Sequence, residues 1–345
     1  MNTIIKVKLE NFRTHDSFTL DLKNPTTLVV GENGSGKTSL IEALYVTIQG
    51  KSFRSRDVDI LKNSKKHYKV VTFFGDGRKN QVEFDNDTGK KTFTLDDKRY
   101  HRLPAKHKYP VVLFEPDDLN LLYDAPSKRR DWLNRLISVF SAEYHTSLLR
   151  YEKALSQRNS ALKRDFCGRD DVFAWDVLLA KYGSRIMELR QGVIQRVNGD
   201  IQGVYKSIAG NDDQIGAEYQ SDVVDESGYL KKLEASFDKD RILGQTTFGP
   251  HRDDVVFGFN GNLAVNVASR GEVRTIVLAL KFIEARLIEE QLGLPPIVLL
   301  DDIFSELDGQ RQNHLVNNFK DNQVIITSVN PPADMSEDVS LQNRS

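Results

Sequence analysis

The chain has 345 residues, a formal net charge of −1 and 39% hydrophobic residues, enough apolar material for one large domain or two modest ones. No run of about 18 uncharged apolar residues is present to span a bilayer, and the one cysteine, Cys167, excludes an internal disulfide framework and a Cys-cluster zinc site. The N-terminal MNTIIKVKLENF alternates Ile5, Val7 and Leu9 like a strand and lacks the features of a signal peptide, so the expected compartment is the cytoplasm.

Further along, Leu28–Val30 reads as a short buried strand and 40–48 as a helix. The segment VVTFFGDGRKNQVEFDNDTGKKTFTL has turn signals at Asp76-Gly77 and Thr88-Gly89 between β-type runs, and VVLF (111–114) is another apolar strand. Beyond Pro126 the pattern becomes helical. A helix is predicted over 127–165, with Leu148, Tyr151, Leu155 and Leu162 on one face. A second is predicted over 172–207, with a stripe of Trp175, Leu179, Tyr182, Ile186, Leu189, Val193 and Val197. With CGRDD (167–171) as the turn, the two form a helical hairpin whose stripe is its own packing seam. A link through IGAEYQSDV, a short helix near 229–241 and β-type sequence over Val255–Val267 follow. A helix over 273–291, a strand over 297–300 and a polar, frayed tail from Pro331 complete the chain. The expected organisation is a head split in two, over 1–126 and 246–345, around a helical arm over 127–245.

The near-zero net charge conceals an uneven distribution. Between Lys51 and Lys79 lie nine Lys/Arg against three acids, and a second basic stretch, KRYHRLPAKHK, covers 98–108. Such runs are either solvated surface or a face that follows a phosphate backbone, and composition does not choose between them.

Gly31-Glu32-Asn33-Gly34-Ser35-Gly36-Lys37-Thr38 fits G-x-x-x-x-G-K-[ST] between the strand TLVV and the helix SLIEAL. The glycines let backbone N–H groups curl around phosphates at a helix N-terminus. Lys37 is expected at the β- and γ-phosphates of ATP and Thr38 on Mg²⁺. The apolar strand in Leu294-Pro-Pro-Ile-Val-Leu-Leu-Asp301-Asp302 delivers carboxylates to its C-terminal end, where ligands bind in such sheets. Asp301 is expected beside the Mg²⁺ and Asp302 is placed to polarise water, although paired aspartates there also suit a helix N-cap. Ser269-Arg-Gly271-Glu272 at a helix start reads as an ABC signature that caps the γ-phosphate held by another ATPase unit, and also as a capping box. Ser305-Glu-Leu-Asp308 matches a D-loop. One P-loop and one signature per chain predict a site completed by two chains.

The sequence resembles the RecF family of short-armed, SMC-like ABC ATPases. The likeness rests on Leu9-Glu-Asn-Phe-Arg13, GENGSGKTSLIEAL, Gly50-Lys-Ser-Phe-Arg54, Phe114-Glu-Pro-Asp-Asp-Leu119, Pro126-Ser-Lys-Arg-Arg-Asp-Trp-Leu133, Gly249-Pro-His-Arg-Asp-Asp254 and LLDDIFSELD. It implies an α/β fold: an ABC-type P-loop ATPase head of mixed β-sheets with flanking helices and an inserted antiparallel helical arm. It also implies an ATP-dependent homodimer, binding of double-stranded and gapped DNA, slow DNA-stimulated hydrolysis, work with RecO and RecR, and a part in SOS induction. Under the resemblance Lys51, Arg54, Arg56, Lys65 and Lys66 become candidate DNA contacts. His251, Arg252, Asp253 and Asp254 are either structural or contacts to nucleotide or DNA. Glu272 stands where the family more often has Gln, and Ser328 and Asn330 stand where many ABC ATPases carry a histidine. A transporter ATPase subunit, another SMC-like head and a scaffold that uses ATP only as a dimer lock are the competing readings.

Overall fold

The computed structural model describes residues 3–22, 25–222, 224–330 and 339–341. The chain divides into two compact units, one of Met1–Asp118 with Ala285–Ser345 and one of Leu119–Glu284.

The first unit opens with the hairpin β1 (Ile4–Phe12) and β2 (His15–Asp21), followed by β3 (Thr26–Gly31), α1 (Lys37–Gln49) and the single turn α2 (Asp57–Ile60). Strands β4 (His67–Phe74), β5 (Lys79–Asp85), β6 (Lys90–Leu95), β7 (Lys98–Tyr100) and β8 (Val111–Phe114) come next. Gly77 and Gly89 take positive φ in the two hairpin turns that the sequence signals. The antiparallel sheet runs β2-β1-β4-β5-β6-β7. Helix α1 packs on its strands β1, β4 and β5, and also on strands of the parallel sheet described below. That double burial explains why α1 is apolar nearly all round, with Leu40, Ile41, Ala43, Leu44, Val46 and Ile48 fully buried. Truncating one such leucine to alanine costs about 2–5 kcal/mol. Gly50 ends α1 at φ 82°, and a Cβ there would lie 2.9 Å from the Leu103 side chain, so the position requires glycine.

In the second unit, α3 (Pro126–Phe140) and α4 (Ala142–Leu162) replace the single helix predicted over 127–165. The break is at Ser141, whose extended backbone and hydroxyl cap α4 by accepting from Tyr144 N–H at 3.1 Å. Helix α5 (Arg169–Ala209) pairs antiparallel with α4, as Arg185–Glu143 at one end and Arg158–Asp176 at the other show. The seam is rotated from the apolar stripe. Trp175, Tyr182, Leu189 and Val193 are half-buried, whereas Asp176, Gly183 and Arg190 are buried. Asp176 and Arg190 are tolerated inside because each has partners, and Gly183 because a Cβ would meet the Tyr229 ring at 2.5 Å.

The segment read as a link contains β9 (Ile215–Gln220), followed by α6 (Glu226–Leu243), β10 (Asp254–Phe259), β11 (Asn262–Leu263) and α7 (Ala264–Val267), a helical turn where the sequence suggested strand. The order is β11-β10-β9. Strand β9 alternates buried Ile215, Ala217 and Tyr219, and its outer edge is closed by α5: Ile215 N–H donates to Gln202 and Ala217 N–H to Asn198. Helix α8 (Arg270–Leu292) follows.

The chain then completes the first unit with β12 (Ile297–Asp301), α9 (Gly309–Asn318), β13 (Val324–Ser328) and β14 (Val339–Leu341). These give a parallel sheet ordered β14-β3-β13-β12-β8, on whose strands β3, β12 and β13 the helix α1 packs. Gln323 clasps Ile4, accepting from its N–H at 2.7 Å and donating to its carbonyl at 2.6 Å, which ties β1 to the start of β13. Most of the tail expected to fray lies outside the described residues, but 339–341 pair in parallel with Val29–Gly31.

Candidate nucleotide site

Strands β3 and β12 flank β13 in parallel register, so Gly31, Asp301 and Ser328 arrive together at the C-terminal edge of the sheet. From Gly31 the chain turns through Gly34 at φ 84° and Gly36 at φ 98° into α1. The Gly36 conformation is supported by the β1–β2 hairpin: His15 Nε2 lies 3.2 Å from the Gly36 carbonyl, and burial holds the His15 pKa below its usual value, which suits a neutral ring donating that hydrogen bond. A Cβ on Gly36 would strike His15 at 2.4 Å.

Lys37 is buried, its ammonium donating to the carbonyls of Gly31 at 2.8 Å and Glu32 at 3.1 Å and lying 3.6 Å from Asp302 Oδ2. Thr38 Oγ1 donates to Asp301 Oδ1 at 3.1 Å. Asp301 is buried. Burial raises its carboxyl pKa, and hydrogen bonds from Thr327 and Thr38 act against that rise. Asp302 sits at φ 53°, a left-handed conformation costing a non-glycine residue about 1–3 kcal/mol. Its N–H is held by the Thr327 carbonyl at 3.1 Å and hydroxyl at 3.0 Å. The same hydroxyl lies 2.8 Å from Asp301 Oδ1. Thr327 thus joins both aspartates, a role that spacing along the chain gave no sign of.

Two buried polar atoms at this edge, Ser35 Oγ and Asp302 Oδ1, have no hydrogen-bond partner among the described residues. Leaving such atoms unsatisfied costs about 1–3 kcal/mol each. With Lys37, Thr38 and Asp301 around them, they fit a phosphate chain and its divalent cation: a cationic donor, a glycine-rich loop at a helix N-terminus, and a hydroxyl beside a carboxylate.

Behind the loop, Glu42 of α1 is fully buried. It accepts from Arg13 at 2.8 Å, Arg54 at 2.9 Å, Ser52 at 2.6 Å and Ser55 at 3.0 Å. Burial raises its pKa, but the hydrogen bonds from Arg13, Arg54 and Ser52 outweigh that and bring it down to about 2. Three sequence segments that looked independent therefore meet on one carboxylate. Arg54 is committed to an internal ion pair. Of the other basic candidates, Arg56 pairs with Asp59, Lys65 with Asp16 and Lys66 with Asp87, while Lys51 is exposed.

In the second unit Ser269 is exposed at the start of α8. It forms a capping box: its N–H donates to Glu272 at 2.6 Å and its hydroxyl accepts from Glu272 N–H at 3.3 Å. Gly271 is half-buried. In the first unit Ser305 donates to the Asp302 carbonyl at 2.7 Å, and Asp308 caps α9 through Arg311 N–H at 3.0 Å. Ser328 is turned inward onto the Asn330 carbonyl.

The Gly249–Asp254 segment folds into a buried polar junction. Arg129 grips Asp254 through two 2.8 Å bonds, and Arg130 donates to the Asp253 carbonyl. Asp253 accepts from the Tyr219 hydroxyl. His251 lies between Tyr151 OH at 2.7 Å and the Thr246 carbonyl at 3.0 Å, and burial lowers its pKa to about 4. The side chains of His251, Asp253 and Asp254 are thus engaged within the unit, and Arg252 is exposed.

Comparison with known proteins agrees with this geometry. The model of an AAA domain matches residues 6–191. The fold shares the architecture of the solved head of an Smc protein from Pyrococcus furiosus (TM-score 0.54, 15% identity, 96% of this chain and 90% of that one). Loop and fold together define an ABC-type P-loop ATPase. Among curated relatives, the DNA replication and repair protein RecF of Agathobacter rectalis is 31% identical over 94% of this chain and 91% of its own length. The corresponding protein of Alkaliphilus oremlandii is 32% identical over 94% and 92%. A solved structure of the recombination mediator RecF with ATPrS, from the RecFOR pathway, superposes with a TM-score of 0.88 at 27% identity over 99% of this chain and 95% of that one. The chain belongs to the RecF family of DNA replication and repair proteins.

Proposed function

We propose that this chain is an ATP-governed clamp. Two copies close around ATP on duplex or gapped DNA, and slow, DNA-stimulated hydrolysis releases them. The observation that carries this reading is the open, polar edge beside Lys37, where Ser35 Oγ and Asp302 Oδ1 are buried and unpartnered. Gly31, Glu32, Asn33, Gly34, Ser35 and Gly36 supply the phosphate cradle, and Lys37 leaves its carbonyl partners for the β- and γ-oxygens. Thr38 and Asp301 would hold Mg²⁺, which neutralises charge between the phosphates when bound. Asp302 orients the attacking water and accepts its proton. Ser269, Gly271 and Glu272 act in trans on the second copy's γ-phosphate, a role that the exposure of Ser269 permits. Ser305 and Asp308 line the same dimer face. Lys51, Arg54, Arg56, Lys65 and Lys66 are candidates for phosphate contact with DNA, Arg54 the least available because of Glu42. In domain terms 1–126 and 246–345 form the head and 127–245 the arm.

The wider setting follows from the relatives. The RecFOR pathway named for the solved RecF structures supports RecR and RecO as partners. Recombinase loading, work in the cytoplasm and a contribution to the SOS response are proposed from the family resemblance alone. None of the described helices is long and apolar enough to cross a membrane. The test is the ATPase rate and particle mass of the full chain, each with and without duplex DNA. An ATP-dependent doubling of mass and a DNA-stimulated rate are expected. A particle that stays monomeric with ATP and DNA together would refute the clamp.

A further inference from the structure

The cations between 51 and 79 were the more conspicuous basic run, yet the fold neutralises most of them. Arg54 is bound to Glu42, Arg56 to Asp59, Lys62 and Lys65 to Asp16, Lys66 to Asp87 and Arg78 to Asp76. Lys69 lies between Glu10 and Glu83 in the strand register. Exposed ion pairs add little to stability, but they cancel the field that would draw in a polyanion.

The shorter stretch at 98–108 behaves differently. Lys98, Arg99, Arg102, Lys106 and Lys108 are exposed, and none has a carboxylate partner among the described residues. The nearest acids in sequence, Asp96 and Asp97, sit in the β6–β7 turn and face the β7 end of the stretch. The loop after β7 is anchored beside the C-terminal end of α1. Leu103 is buried under Gly50, Tyr109 N–H donates to the Ile48 carbonyl, and Gln49 donates to the Tyr109 carbonyl at 2.6 Å. This brings Lys51, the one uncompensated member of the first run's opening segment, to the loop. Lys51 is close enough to Lys108 that its charge, together with partial burial of Lys108, lowers the Lys108 pKa. The end of α1 contributes only about half a negative charge, which leaves most of the charge of four cations unbalanced.

We infer that Lys51, Arg102, Lys106 and Lys108, on the edge of the antiparallel sheet at the end of α1, form a phosphate-binding face for the backbone of duplex DNA. This rests on the DNA-clamp reading above and moves its contacts away from the paired residues 54–66. Binding here is independent of base sequence, because only charge is presented. It also sits at the far end of the helix whose first turn forms the P-loop, so a pull on the backbone is felt by the same α1 that carries Lys37 and Thr38.

The test compares two variants of the full chain. In one, Lys51, Arg102, Lys106 and Lys108 are all changed to Gln. In the other, Lys62 and Arg78, paired with Asp16 and Asp76, are changed to Gln. Anisotropy of a fluorescent 30-base-pair duplex (length set to about three helical turns) is titrated across a salt series with ATP present. ATP binding and thermal midpoint serve as folding controls. For the first variant the slope of log K against log[salt] should flatten by up to about 0.9 per lost contact, with at least about tenfold weaker binding at physiological salt. The second variant should stay close to wild type. If wild type binds duplex and the first variant keeps its slope, the inference is overturned and the clamp reading stands. If wild type binds no duplex, both fall. If the first variant keeps its duplex slope but loses binding to a poly-glutamate peptide, the face takes an acidic protein segment and the inference is again overturned.

Discussion

Thr327 presents one hydroxyl that donates to the Asp301 carboxylate and accepts from the Asp302 N–H, and its removal separates orientation from fold. Thr327→Val is close in volume, leaves the sheet intact and deletes the bonds to Asp301 and Asp302. With about 1 kcal/mol or more attached to each, ATP turnover should fall about tenfold or more while the KM for ATP changes little. Thr327→Ser should restore most of it. Steady-state kinetics check both, and equal kcat for wild type and Thr327→Val would remove the positioning role. Lys37→Ala should instead abolish binding of labelled ATP, since Lys37 is the side chain expected to neutralise the β- and γ-phosphates. Glu42 gives a different signature at the same scale. Its folded pKa of about 2 lies below the usual 4.5, so its stabilisation is complete above 4.5 and is lost as pH falls toward 2. Glu42→Gln removes that stabilisation at neutral pH and leaves Arg13 and Arg54 without their counter-charge.

At the scale of elements, the polar junction between α3, α4, α5, α6 and β10 is where the stability of the second unit is set. Arg158 is buried with Asp176 and Asp240, the latter at 2.6 Å, and Arg190 with Tyr144, Asn134 and the Pro250 carbonyl. Asp240→Asn breaks the pair and should destabilise the chain by about 3–5 kcal/mol in denaturant unfolding. His251 makes the junction sensitive to pH. Its folded pKa of about 4 is below the unfolded value of 6.5, so the unfolded chain takes up a proton first. Stability from this residue is therefore intact above 6.5 and is lost as pH falls toward 4, by up to about 3 kcal/mol at the value of one pKa unit. Thermal midpoints from pH 6.5 to 4 should fall less steeply for His251→Gln than for wild type. This junction also marks the limit of what was legible. The P-loop, the Asp301–Asp302 strand and most helices follow from spacing that a short window contains. The strand β9 and the rotation of the α4–α5 seam onto Asp176 and Arg190 do not, because each depends on a partner far along the chain, and the break at Ser141 does not because a local serine cap on Tyr144 N–H leaves no mark in an apolar period. A periodicity argument counts apolar residues, so a buried arginine matched to a buried aspartate reads as surface.

For the molecule as a whole, the composite-site reading makes opposite predictions for two substitutions. Asp302→Asn keeps the shape and the Asp301 carboxylate but removes the group that orients water. ATP should then produce a dimer that persists in light scattering. Ser269→Arg leaves its own P-loop intact and obstructs the second copy's γ-phosphate, so ATP should bind and no dimer should form. Mixing Ser269→Arg with Lys37→Ala places both defects in one site and leaves the other whole. Partial recovery of ATPase activity is expected, and normal dimerisation by Ser269→Arg alone would reject the signature assignment.

The parallel sheet carries a further consequence, for the order in which the protein is made. Strand β3, which precedes the P-loop, pairs directly with β13, and β8 with β12, so the first third of the chain has no parallel neighbours until residues near 297 and 324 exist. The unit of Leu119–Glu284 is continuous in sequence and can close as soon as it has been synthesised. On a ribosome adding about 5–20 residues per second, the apolar faces of β3, β8 and α1 wait roughly 10–60 seconds for the strands of the parallel sheet that cover them. The ATP site is thus among the last parts of the molecule to form, and a chain stopped before Val324 would present a complete second unit attached to an exposed, aggregation-prone part of the first.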